Sequence, residues 1–186
     1  MKSHILPALR LTAILLIFFS VIYPLLIWGA AQLAPNQGKG FITYAGDRSY
    51  YTHIGQSFTA DRYFYSRPSA VSYNAAGSAG SNKGPSNPDY LAVVEARIDS
   101  FLVHNPGVSR SEIPADLVTA SSSGLDPHIS PQAARVQAAR IARVRQIPQE
   151  LVEKLISEHI EAPFLGLFGP EKVHVLTLNL ALDQIN

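Results

Sequence analysis

The chain contains no cysteine among its 186 residues. That absence excludes disulfide staples, thiol nucleophiles and cysteine-based zinc sites. Charge is also scarce and balanced, with 15 Lys and Arg against 14 Asp and Glu for a formal net charge of +1. A nucleic-acid partner calls for a basic excess gathered on one face, so that class of function is set aside. Catalytic signatures are missing too. "AGSAG" around Ser78 has Ala76 where a G-x-S-x-G elbow needs its first glycine, no serine stands three residues before a lysine, and no H-E-x-x-H occurs. The six histidines are scattered, and only His128, in "DPHISP", lies in a segment that reads as functional.

One stretch resembles a phosphate-binding loop in composition. "SAGSNKGPSNPDY", Ser78 to Tyr90, sets Gly, Ser, Asn and Pro around a single lysine. A P-loop, G-x-x-x-x-G-K-[ST], uses its glycines to close backbone N–H groups on phosphate and its hydroxyl to hold magnesium. Counted from Gly77, the second glycine is replaced by Asn82 and the hydroxyl by Gly84. Turn chemistry then continues through "GPSNP" where a P-loop opens its helix. Two of the four defining positions fail, and a nucleotide cradle is not expected.

The chain does have one long apolar run. Leu11 to Ala34 carries no charged side chain, and about 24 residues at 1.5 Å each span roughly 36 Å, enough to cross a bilayer core with some tilt. Trp28 suits an interfacial belt, and Pro24 reads as a kink. A cleaved signal peptide is the rival reading, with "GAA" at Gly29 to Ala31 as its processing site, but the run exceeds the usual apolar core of such peptides. Lys2 and Arg10 flank the near side, with no Lys or Arg on the far side until Lys39. The expected organisation is a cytoplasmic N-terminus over 1–10, a transmembrane helix over 11–34, a linker over 35–46 and an extracytoplasmic domain over 47–186.

For that domain the pattern predicts an α+β fold. Asn87, Pro88 and Asp89 form a helix start, followed by Leu91, Val94, Ile98 and Phe101 as a buried face and "HNPG" as the stop. Ser130 with Pro131, and Pro148 before Leu151, Val152, Leu155 and Ile156, start two more helices. Strands are expected within Tyr44–Phe58 and over Val173–Leu180, where Leu176, Leu178 and Leu180 alternate. The aromatics from Tyr50 to Tyr65 read as packing for an irregular segment. Arg135, Arg140, Arg143 and Arg145 read as a solvated helix, with an acidic partner surface as the alternative.

Several segments, in order and spacing, resemble the C subunit of the Kdp potassium-transporting P-type ATPase. They are "YPLL" in the apolar run, "IGQSF" at Ile54 to Phe58, "YFYSRPSA" at Tyr63 to Ala70, "GSNKGPSNP" at Gly80 to Pro88, "ADLVTASSSGLDPHISPQAA" at Ala115 to Ala134, and "LNLALD" at Leu178 to Asp183. The resemblance implies a non-catalytic accessory subunit in the bacterial cytoplasmic (inner) membrane. It would assemble with a channel-like potassium-binding subunit, an ATP-hydrolysing subunit and a small single-span subunit. Potassium is then the cargo of the complex. ATP enters only through the family's description as a catalytic chaperone that raises the pump's affinity for nucleotide. Ala79 stands where the family commonly has glycine, and Lys83 where an apolar residue is frequent. The family-motif positions are Gly55, Gln56, Phe58, Tyr63, Phe64, Arg67, Pro68, Ser69, Gly80, Ser81, Asn82, Asn87, Pro88 and Asp126, with Arg67 as the charged anchor of a docking surface. A signal-anchored hydrolase or a solute-binding module is the alternative class.

Overall fold

The computed structural model describes residues 2–185 and divides into two units, 1–44 and 45–186. In the first, α1 (Lys2–Ile17) and α2 (Tyr23–Ala31) are joined by a π-helical turn, Phe18–Ile22, in which the Tyr23 N–H bonds the Phe18 carbonyl. Pro24 lacks the N–H that would reach the Ser20 carbonyl, and its ring would crowd that carbonyl in a regular α-helix. Widening the turn just before the proline lets the helix continue, so the expected kink takes the form of a π turn. Residues His4–Ala31 form the one helix among the described residues long and apolar enough, by length and composition, to cross a membrane.

Strands β1 (Ile42–Ala45) and β2 (Arg48–Tyr51) pair as a small sheet. The chain then runs irregularly to α3 (Pro88–His104), where the Asn87 side chain accepts from the Tyr90 N–H at 3.1 Å. Only Phe101 on this helix is fully buried. Leu91 is 52% exposed, so the expected apolar face is narrower than its spacing suggested. Alongside lies an open groove of about 530 Å³, lined by Val93, Arg97 and Phe101 on α3 and by Phe58, Tyr65 and Pro68 opposite.

The core is built by α4 (Pro131–Arg145), α5 (Gln149–Glu158) and α6 (Val175–Leu182) against β3 (His128–Ile129), β4 (Ile160–Glu161) and β5 (Lys172–His174). The sheet is antiparallel in the order β3-β5-β4, with His128 opposite His174 and Ile160 opposite Val173. Ser130 caps α4 by accepting from the Ala133 N–H at 3.1 Å. Ala133, Ala134, Ala138 and Ala142 give α4 a low-relief face against which Val152, Leu155 and Ile156 of α5 bury. Small side chains let two helix backbones approach closely, which raises the number of dispersion contacts.

Two expectations are corrected here. Val173–Leu180 is not one strand: β5 ends at His174 and α6 begins, with the His174 side chain accepting from the Thr177 N–H at 3.4 Å. Val175, Leu178, Asn179 and Leu182 are buried at helical spacing, so the leucine alternation coincided with a 3.6-residue period. Nor are Arg140 and Arg145 solvated: their side chains are 1% and 10% exposed, and Arg145 donates to the Arg62 and Leu182 carbonyls and to Asp183.

Candidate functional site

Three of the motif segments meet around a serine-rich strap, Ser121 to Asp126, which belongs to a fourth, "ADLVTASSSGLDPHISPQAA". The Gly55 N–H bonds the Leu125 carbonyl at 2.8 Å, the Ala70 N–H bonds Ser122 O at 2.8 Å, and the Ser121 N–H bonds Pro68 O at 3.1 Å. A Cβ on Gly55 would sit 2.4 Å from Gly124 O, and one on Gly124, at φ +75°, would sit 2.5 Å from the Ser69 Cβ. Backbones packed this closely admit no side chain, which gives both glycines a steric reason.

Hydroxyls complete the lacing. Ser69 Oγ donates to Ser123 O and accepts from the Val71 and Tyr73 N–H groups. Ser123 Oγ pairs with Ser78 Oγ and accepts from the Ala79 N–H at 3.0 Å. The Gly80 Cα faces Ser122, so the glycine-serine loop is fastened to the same strap. Arg67 Nη1 lies 3.3 Å from Asp126, which also accepts from the His128 N–H and faces His128 Nδ1, both at 3.1 Å. Asp126 is partly desolvated, yet the bonds from His128 and the charge of Arg67 hold its carboxyl below the usual aspartate range. Arg67 Nε is buried and makes no hydrogen bond among the described residues.

The remaining motif residues serve other purposes. Asn87 and Pro88 start α3. Gln56 bonds the Ile54 carbonyl, and its own carbonyl accepts from Ser66 at 2.6 Å. Phe58 packs at 5.6 Å from Tyr63, whose hydroxyl reaches Asp183 at 2.9 Å. Phe64 is fully buried, as the packing role of the aromatic segment requires. Ser81 and Asn82 are exposed, Asn82 in the left-handed region at φ +52°.

Beneath this platform lies a polar centre that the sequence reading missed. Arg140 Nε donates to Asn105 at 3.1 Å, Nη1 to the Asp61 carbonyl at 3.1 Å, and Nη2 to the Tyr63 carbonyl at 3.0 Å and Gln137 Oε1 at 2.7 Å. Its guanidinium carbon sits 3.8 Å over the Tyr65 ring. Burial lowers the Arg140 pKa from its usual value, against the pull of Tyr65 and Asp61. Burial and the bond to Asp61 push the Tyr65 phenol up to about 12. The available signal was positional: Gln137 and Arg140 fall on the alanine face of α4, where a polar residue has to find partners inside.

The fit to a phosphate group can be read from the same bonds. The Ala79 N–H, one donor that a cradle in this loop would need, is taken by Ser123, and Lys83 pairs with Asp89 at 3.5 Å. These residues do not fit a nucleotide cradle. Nor does any group of three or more His, Asp or Glu among the described residues converge in metal-binding fashion.

Comparison with known proteins covers all of these segments. The profile of the family described as "KdpC: K+-transporting ATPase, c chain" matches residues 5–184. The potassium-transporting ATPase KdpC subunit of Flavobacterium johnsoniae is 56% identical over 95% of this chain and 96% of its own length. Those of Bacteroides thetaiotaomicron and Caldanaerobacter subterraneus subsp. tengcongensis are 49% and 47% identical, covering 95% and 98% of this chain and 96% and 95% of their own. The apolar helix and the laced platform thus fall inside one continuous match, and the chain belongs to the KdpC family, the c chain of K+-transporting ATPases.

Proposed function

We propose that this chain is the membrane-anchored accessory subunit of an ATP-driven potassium uptake complex and carries no chemistry of its own. The match over residues 5–184, spanning both the apolar helix and the folded unit, carries the reading. The helix His4–Ala31 anchors it in the bacterial cytoplasmic membrane, and the positive flank at Lys2 and Arg10 keeps the N-terminus in the cytoplasm, leaving the unit 45–186 outside. Its partners are the potassium-binding channel-like subunit, the ATP-hydrolysing subunit and the small single-span subunit. The laced loops at Gly55–Phe58, Arg67–Ser69, Gly80–Asn82 and Ser121–Asp126 form the face that docks on the pore subunit. A surface already fixed by its own hydrogen bonds loses little conformational entropy on association.

The test is a pull-down of the tagged full-length chain from its native membranes. The potassium-transporting subunits should accompany it, and their absence would overturn the assignment. Arg67→Ala should weaken that recovery while the unit still unfolds cooperatively. Protease added to intact spheroplasts should digest the folded unit, and full protection there would reverse the orientation.

A further inference from the structure

Between β4 and β5 the chain forms an apolar knob. Phe164, Leu165, Leu167 and Phe168 are 70%, 75%, 81% and 64% exposed. They are the densest run of exposed large apolar side chains in the unit 45–186, and a contiguous patch of this kind marks an interaction site. The knob is built, not frayed. The Phe164 N–H bonds Phe168 O at 2.9 Å, the Phe168 N–H returns to Phe164 O at 3.0 Å, and the Gly166 N–H reaches Pro163 O at 2.9 Å. Gly166 and Gly169 take φ of +72° and +87°, and the two phenyl rings stand 6.4 Å apart.

Charge narrows the occupant. No charged residue lies between Ala162 and Pro170, and Glu171 follows directly. At the base, Lys172 and Glu161 neutralise one another across 3.2 Å, which leaves Glu171 as the collar's net charge. Elements that enter a lipid surface back their apolar side chains with Lys or Arg that meet the headgroups, and from Ala162 to Pro170 this loop has no Lys or Arg. A second copy would set two Glu171 collars face to face. The knob's base also borders the laced platform, through a cavity of about 300 Å³ lined by Arg67, Asp126, Glu171 and Lys172.

We propose that Phe164, Leu165, Leu167 and Phe168 form a preformed plug that seats in an apolar, basic-rimmed socket on another protein subunit of the potassium-transport complex. This rests on the accessory-subunit reading above and adds to it a second, hydrophobic anchor beside the polar platform. Preorganisation lowers the ordering cost of docking, and buried aromatic anchors dominate interface affinity.

Because the chain has no native cysteine, Leu167→Cys gives a single attachment point for a small environment-sensitive fluorophore. The labelled full-length chain in lipid nanodiscs should report a water-exposed knob when alone. On reassembly with the complex lacking this subunit, it should report an apolar setting not quenched by bromine-labelled acyl chains. An unchanged signal on assembly, quenching by the brominated lipid, or an apolar signal from the chain alone would each overturn the plug, the last two in favour of lipid insertion and self-association. The double variant Leu167→Asp with Phe168→Ser should retain the other subunits about tenfold less well, with an unchanged unfolding transition; undiminished retention would also overturn it. Failure of the wild-type chain to reassemble at all would instead defeat the accessory-subunit reading.

Discussion

Phe64 and Asn179 are joined by two reciprocal hydrogen bonds: the Phe64 N–H donates to Asn179 Oδ1 at 2.9 Å, and Asn179 Nδ2 donates to the Phe64 carbonyl at 3.0 Å. A side-chain amide here replaces a neighbouring strand. It satisfies the backbone of an aromatic segment that belongs to no sheet while the Phe64 ring fills the core. The bond links the "YFYSRPSA" segment to "LNLALD", which explains why two distant pieces of one motif pattern need each other.

Replacing Asn179 with Leu strands a buried N–H and C=O on Phe64. The expected cost is about 2–4 kcal/mol, because each unsatisfied buried group forfeits its full desolvation penalty. Urea unfolding of the full-length chain in detergent, compared with wild type, measures it.

Arg140 should tolerate neither Lys nor Met. A lysine ammonium cannot span Asn105, the Asp61 and Tyr63 carbonyls and Gln137 at once. Methionine leaves those acceptors buried without a donor. Either variant should lose about 3–5 kcal/mol, in the manner of a broken buried ionic network, read as a lowered thermal midpoint.

Gly55→Ala should damage the platform out of proportion to its size. The added methyl would meet the Gly124 and Asp126 carbonyl oxygens at 2.4 and 2.9 Å, and both belong to backbone that cannot step aside without unlacing the strap. Overpacking of this kind costs about 1–3 kcal/mol. Gly107→Ala, with nothing within 4 Å, is the matched control and should leave both stability and recovery of the complex unchanged.

Stability should fall as pH drops below about 6.5, through His174. Its Nδ1 accepts from the Thr177 N–H, so its proton sits on Nε2, which donates to the Thr52 carbonyl at 2.7 Å. Burial, with the nearby charges of His128 and His53, outweighs the bond to Thr52 and the pull of Glu161 and lowers its pKa below 6.5. The unfolded chain therefore binds this proton more readily. The stabilisation is complete above pH 6.5 and is lost as pH falls toward the lower folded value. His174→Asn retains a capping acceptor and should flatten this part of the thermal midpoint against pH between 7.5 and 5.

Local signals were legible in the sequence wherever one turn of chain contained them. Asn87 with Pro88 and Ser130 with Pro131 start helices because cap and first N–H groups lie within three residues. The apolar run Leu11 to Ala34, helical as far as Ala31, needs no partner to be helical. The order of the motif segments was likewise enough to place the family. Tertiary structure alone decided the rest. The leucines of Val173–Leu180 fit a strand or a helix equally, and the His174 cap with burial of Asn179 beside Phe64 resolved them as helix. Arg140 looked like the exposed Arg135 and Arg143 until Tyr65, Asn105 and two carbonyls converged on it. The Gly55–Gly124 contact joins segments far apart in the chain. Close packing and buried polar pairing depend on which surfaces meet, and one-dimensional periodicity carries no record of that.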